Sequence, residues 1–412
     1  MNSLQWITDQ ISERLERAVY VEDGSYRPLV NSAQIGRIDD ARVKALLDRS
    51  VTEEHFRYFV DSGVSAAMEP LRVPASTEHG LLARVVVPVT SGSHVLARVW
   101  LIDSPRLEED DLAWILEASA GMRPYLFDRN EQARRRTEAD GQVLREILHA
   151  GQDRREDLFR RLYDDHHGSV AQQARACVLQ FTPSSPDPGR GAPEPVAPVQ
   201  PAEILDTLVA LLESHKVAGY QRGDELLMLV SPRRPDASVL EPVSGAARRA
   251  ALLHRVGLDA IGLGGALHSA DGVGVSARQA AYAARVARRV GGSNGEACWD
   301  TLGEYRLFAD VGWDLDGVAS LHEGAAALVA DHRTPLAATL LAYLEREGDV
   351  GVTAEALNVH RTTLYYRIKR AREVLGEDPA GSARFGIHAA LRLAELAGLC
   401  TPPPRGPAGQ VR

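Results

Sequence analysis

Between Val359 and Arg372 the chain carries Arg361, Arg367, Lys369, Arg370 and Arg372 and no acidic residue, with His360, Thr362, Thr363, Tyr365 and Tyr366 interleaved. Cationic side chains neutralise phosphate, and a forked guanidinium can pair with both O6 and N7 of guanine. Hydroxyls can reach base edges or phosphates. The chemistry these residues can do together is recognition of double-stranded DNA. Arg361 and Arg367 rank first as base readers, at roughly 1–3 kcal/mol each if bidentate. Thr362, Thr363, Tyr365 and Tyr366 come next, and one of the two adjacent tyrosines is expected to lean towards the core. Lys369 and Arg370 are assigned to phosphate, and His360 completes the candidate set.

Two elements must position these side chains. Ala354, Leu357, Leu364, Ile368 and Ala371 follow one another at helical spacings and define a single buried face. Asn358-Val359-His360-Arg361-Thr362 interrupts the first helix, and Thr362 or Thr363 can cap the second. The result is a helix-turn-helix, whose second helix enters the major groove while the first crosses the backbone. A lone amphipathic helix with a solvated basic face is the plainer alternative. The small first helix and the short corner favour the DNA reader.

The stretch from Pro335 to Gly398 resembles the helix-turn-helix domain of PucR/CdaR-type bacterial transcriptional regulators. Leu340-Leu-Ala-Tyr-Leu344, the break at Gly348-Asp-Val350, and Ala354, Leu357, Val359, His360 and Arg361 stand where that family's pattern has them. Thr363-Leu364-Tyr365-Tyr366-Arg367 follows, and Phe385 to Ala394 looks like the family's closing helix. Thr362 replaces the family's asparagine. Asparagine can bind adenine bidentately and threonine cannot, so base preference is expected to differ at that contact.

The chain has 412 residues and a net charge of -9. That length predicts two or three cores, and the acidity confines positive potential to a local patch. Cys177, Cys298 and Cys400 are scattered, which fits neither a disulfide framework nor a zinc site. No stretch approaches the roughly eighteen uninterrupted apolar residues of a membrane span. The N-terminus lacks the basic-then-apolar pattern of a leader, so a cytoplasmic location with no membrane partner is expected.

The N-terminal region reads as an α/β fold. Leu4, Ile7, Ile11, Leu15 and Ala18 share a helical face, and Arg17–Glu22 is a strand into Asp23-Gly24. Leu81–Val89 and Val95–Ile102 form a hairpin across Ser91-Gly92-Ser93, and a helix from Glu109 ends or kinks at Pro124. This order is similar to GAF domains, which implies either a small-ligand pocket or a dimerisation surface. Trp100, His94, Tyr58 and Phe56 could line a cleft, but each is ordinary core or surface taken singly. The charged run Arg129–Asp140 reads as a signalling helix or, equally, a solvated spacer.

Further on, the strand Arg175–Phe181 precedes a proline-rich loop over 182–201, expected to be disordered. A helix from Ala202 leads to two apolar strands around Arg222-Gly-Asp-Glu-Leu226, which resembles the GGDEF signature of diguanylate cyclases. That chemistry needs carboxylates for two metal ions, one from the partner strand, and Cys177–Thr182 offers none. Arg222 also replaces the first glycine. The PucR/CdaR resemblance implies such a degenerate module, and Ala260–Ala266 with the alanine-rich helix Ser276–Val290 is similar to the family's glycine strand and helix. That helix reads as packed closely on a sheet. Gly262-Leu-Gly264 fails as a dinucleotide fingerprint because Leu267 stands at the third glycine. His166-His167 reads as surface, and Gly291–Gly295 as a loop, since a nucleophile elbow needs a preceding strand.

The expected organisation is multidomain α/β plus all-α. It comprises a GAF-like input domain over 1-128, a helical linker over 129-165 and a degenerate GGDEF-like domain over 166-310. The helix-turn-helix domain over 335-398 and a disordered tail over 399-412 complete it. The expected function is a DNA-binding transcriptional regulator without enzymatic activity, catalytic residues, metal or cofactor. Its partners are promoter DNA, a small-molecule effector and a second copy, since one helix-turn-helix covers only a few base pairs. A cyclase with an appended DNA domain and a protein-interaction adaptor are the alternatives.

Overall fold

The computed structural model describes residues 3–48, 51–92, 94–163, 173–183, 201–232, 238–290, 295–331 and 335–400. His166-His167, Gly291–Asn294, most of the loop expected over 182–201 and the tail from Thr401 lie outside them. The described residues fall into two compact units. The first runs to Ile261 and adds Gly265–Arg278, and the second joins Gly262–Gly264 to the residues from Gln279 onward.

The first unit opens with α1 (Leu4–Leu15), β1 (Val19–Asp23), β2 (Pro28–Asn31), α2 (Asp40–Asp48), α3 (Glu53–Asp61) and β3 (Leu71–Val73). The hairpin β4 (Arg84–Ser91) and β5 (His94–Ile102) follows, then α4 (Glu109–Ala120). The sheet order is β2-β1-β5-β4-β3. Side chains alternate across it. Val19, Val21, Val85, Val87, Val99 and Leu101 face Ile7 and Ile11 of α1, Ile115 of α4 and Leu126. Tyr20, Val86 and Trp100 face the opposite way, towards Phe56 and Phe59 of α3. Phe56 and Trp100 are therefore core, whereas His94 is exposed.

Pro124 does not end a helix as expected. The break falls at Gly121-Met122, and Pro124 opens α5 (Arg123–His149), where a missing N–H costs nothing. Arg129–Asp140 lies inside this unbroken helix. Glu131 pairs with Arg134 at 3.1 Å and Arg135 at 2.9 Å along its exposed side. Its other side is buried at Thr137 and Gly141, and a Cβ at Gly141 would collide with the Gly219 carbonyl.

The face of the first sheet that bears Tyr20, Val86 and Trp100 also carries ionisable side chains where apolar ones are the rule. Glu22 is 2 % exposed and accepts from Trp100 Nε1 at 2.8 Å. Burial raises its pKa from 4.5 to about 7, opposed by Arg98, Trp100 and Arg42 and reinforced by Asp23. The folded state thus holds more protons than the unfolded state between pH 4.5 and about 7, so stability should fall as pH rises through that window. The full fall is at most about 3 kcal/mol. Glu22→Gln should flatten this slope in thermal unfolding across pH, and an unchanged slope would remove Glu22 as its source.

Next come α6 (Gln152–Tyr163), β6 (Arg175–Pro183), α7 (Pro201–Leu211), β7 (His215–Arg222), β8 (Glu225–Pro232), α8 (Leu240–His254), β9 (Val256–Ala266), α9 (Gly272–Val290) and β10 (Glu296–Cys298). The sheet order is β10-β9-β6-β8-β7, with β8 antiparallel to both neighbours. Strands β6 to β9 with α7 and α8 make the split β-α-β arrangement of ferredoxin-like folds. At the Arg222–Leu226 turn, Glu225 receives Gln180 at 2.7 Å and pairs with Arg222 at 2.8 Å. Gln180 lies opposite Glu225 on β6, where the partner strand offers an amide and no second carboxylate.

The second unit is helical beyond β10: α10 (Leu315–Leu321), α11 (Glu323–Ala330), α12 (Leu336–Glu345), α13 (Val350–Ala356), α14 (Arg361–Leu375) and α15 (Arg384–Ala397). One core joins Tyr282 and Val286 of α9 to Val318, Leu328, Leu340, Leu364, Ile368 and Leu391. No helix among the described residues is long and apolar enough to cross a membrane.

Candidate nucleic-acid interface

The corner between α13 and α14 is short because the facing ends of the two helices are chemically fixed. Asp349 caps α13, its carboxylate accepting from Val352 N at 2.9 Å. The helix closes through Asn358 at φ 50, with Val359 N donating to Ala354 O at 3.0 Å. Asparagine tolerates this left-handed conformation better than most residues, so it suits the corner. The cap of α14 is not Thr362 or Thr363 as expected. His360 stands one residue ahead of the helix in extended conformation, and its Nδ1 accepts from Thr362 N at 3.4 Å. It also meets Thr362 Oγ1 at 2.8 Å, so both threonines lie inside the first turn.

Leu364, Ile368, Ala371 and Leu375 are the buried face of α14, and Ala354 is buried on α13. The expected apolar face is thus in place. Thr362, Tyr366 and Lys369 recur at spacings of four and three on the opposite side, all exposed. Neither tyrosine leans inward. Tyr365 is 61 % and Tyr366 67 % exposed, because a core stripe centred on Leu364 and Ile368 turns the next two positions outward together. Thr363 and Arg370 are also exposed.

The two arginines ranked first are placed differently from Lys369. Arg367 is half-buried and its Nη1 donates to Thr339 Oγ1 on α12 at 3.4 Å. Thr339 is itself 1 % exposed, so this guanidinium is drawn towards α12. Arg361 is exposed but folds back along α13. A Cβ on Gly351 would lie 3.1 Å from Arg361 Nη2, and 3.2 Å from the carboxylate of Asp349. Arg370 pairs with Glu373 at 2.7 Å and Arg372 with Asp378 at 3.2 Å, both on the surface. Lys369 has no ion pair among the described residues.

These features define a helix-turn-helix with an exposed, hydroxyl-rich and basic second helix. Residues 336–393 match the PucR C-terminal helix-turn-helix domain. The chain is similar to the DNA-binding transcriptional activator AdeR of Bacillus subtilis (strain 168), at 20% identity over 406 residues, covering 95% of this chain and 93% of that protein. It is also similar to the regulator of polyketide synthase expression from Bifidobacterium adolescentis, whose crystal structure matches at 19% identity and a TM-score of 0.28. That match covers 63% of this chain and 98% of the other. Among the described residues no three His, Cys, Asp or Glu side chains converge as a metal site.

Proposed function

We propose that the protein is a sequence-specific transcriptional regulator that binds double-stranded DNA as a homodimer, with α14 in the major groove. The observation that carries this reading is the outward stripe of Thr362, Tyr366 and Lys369 on a capped second helix. The PucR-type helix-turn-helix match and the activator relative support it. Thr362, Thr363, Tyr365 and Tyr366 are the base-facing candidates, and Lys369 and Arg370 contact phosphate. Arg361 flanks them, and His360 positions the first turn. Arg367 holds α14 against α12, a positioning role in place of base readout.

The N-terminal sheet serves as a GAF-like input domain that senses a small molecule or a partner. The split β-α-β module is a degenerate GGDEF-like domain, and α5 connects the two as a signalling helix. Mapping the full chain on its own genome tests the central claim. Discrete sites with a half-site repeated about one helical turn apart are expected. Occupancy that follows only DNA accessibility, with no shared sequence, would defeat it.

A further inference from the structure

We propose that the face of the N-terminal sheet beneath α2 and α3 is a binding site for a small organic carboxylate with an apolar body, received by Arg42 and Tyr20. Arg42 is 2 % exposed, yet neither Nη1 nor Nη2 has a hydrogen-bond partner. Tyr20, 4 % exposed, has an unpartnered hydroxyl, and its ring lies 5.0 Å beneath the Arg42 guanidinium. A buried guanidinium with two idle donors is costly to leave unsatisfied. A carboxylate is the acceptor whose two oxygens match that fork.

The neighbouring carboxylates do not fill the role, because each is engaged elsewhere. Asp39 accepts from Arg84, from Leu82 N at 2.9 Å and from the backbone N of Arg42 at 2.9 Å. Asp23 takes Arg27 at 3.0 Å, and Glu22 takes the Trp100 indole at 2.8 Å. Arg98 adds another buried guanidinium. It donates to the carbonyls of Gly24 at 3.0 Å and Ser65 at 3.4 Å, and its Nε has no partner. Buried Arg42, Arg84 and Arg98 thus face buried Glu22, Asp23 and Asp39, of which Asp23 is already taken by Arg27 and Asp39 by Arg84. Burial that pushes Glu22 up to about 7 removes one of these negative charges below neutrality, which leaves the cluster positive there.

The rest of the surroundings is apolar and aromatic. Phe59 and Trp100 lie 4.8 Å apart, and Phe56 and Tyr26 5.0 Å apart, on the same face. Such walls suit an apolar body behind a charged head. Only Ala41 and Arg42 are buried among the described side chains of α2, while Val43 and Leu47 are exposed at 38% and 78%. A thinly packed element of this kind opens at low cost and gives a ligand a way in.

Isothermal titration calorimetry of the full chain with benzoate, isovalerate and succinate at constant ionic strength, with inorganic phosphate as a fourth probe, tests the site. Saturable binding of at least one carboxylate is expected, with phosphate binding at least about tenfold more weakly. Arg42→Met should weaken the carboxylate about tenfold or more while leaving the ligand-free melting temperature unchanged or raised, because it removes an unpaired buried charge. Should that variant fail to fold, Tyr20→Phe removes only a hydroxyl and should still weaken binding several-fold. No binding of any carboxylate up to about 10 mM, tighter binding of phosphate, or full binding by a folded Arg42→Met would overturn the assignment. The titration contains no DNA, so its failure would leave the reading of α14 untouched.

Discussion

Gly262→Ala is expected to destabilise the second unit by about 3 kcal/mol or more, the upper end of overpacking penalties. A Cβ at that position would run into the Ala280 carbonyl and the Ala284 amide, and would lie 2.8 Å from the Ala284 Cα. These are backbone atoms of α9. No rotamer change can relieve the clash, so strand and helix would have to part. In an unobstructed strand the same substitution would stabilise by about 0.5–1 kcal/mol, because alanine loses less backbone freedom on folding. Gly245→Ala in α8 supplies that contrast, since a Cβ there meets nothing within 4 Å. It should stabilise by about 1 kcal/mol. Calorimetry should show the Gly262→Ala transition lowered by about 10 °C and the Gly245→Ala transition unchanged or raised. A Gly262→Ala protein as stable as its parent would mean that β9 and α9 are not packed backbone to backbone.

The close packing at Gly262 is legible in the sequence because a glycine-rich strand followed by an alanine-faced helix leaves no side-chain bulk to hold the two backbones apart. The helix-turn-helix is legible for a similar reason: its apolar period, the break at Asn358–Thr362 and its basic second helix all lie within about twenty consecutive residues. Features that depend on distant partners are not. Nothing local reveals that Arg367 donates to Thr339, 28 residues earlier in the chain. Adjacency alone does not turn one of the two tyrosines inward, because the width of the buried stripe decides. Helices α10 and α11 are 7 and 8 residues long, and, unlike the equally short α13, they have no basic helix and short corner beside them to frame so brief a period. The buried charges of the first sheet do have a usable signal. Arg98 and Trp100 alternate with apolar residues on β5, and so do Tyr20 and Glu22 on β1. Polar residues at period two in an otherwise apolar strand indicate a solvated face or a covered polar site. Only the position of α3 over that face distinguishes the two.

Lys369→Ala should weaken operator binding by about tenfold at 0.1 M salt and hardly at all near 1 M. Each phosphate neutralised steepens the fall of log affinity with log salt by about 0.9, so one lost contact is nearly a factor of ten over that range. Arg370→Ala should do less, since Arg370 already shares its charge with Glu373 at 2.7 Å. Arg367→Ala should behave in another way. The side chain is half-buried against Thr339, so its loss should lower the melting temperature and weaken DNA at every salt concentration, with the slope unchanged. Thr339→Val removes the acceptor and leaves Arg367 in place, and it should reproduce part of that loss. Fluorescence anisotropy with one operator across a salt series separates the cases. A shallower slope for Arg367→Ala with unaltered stability would return Arg367 to the DNA surface. An unchanged slope for Lys369→Ala would remove Lys369 from it.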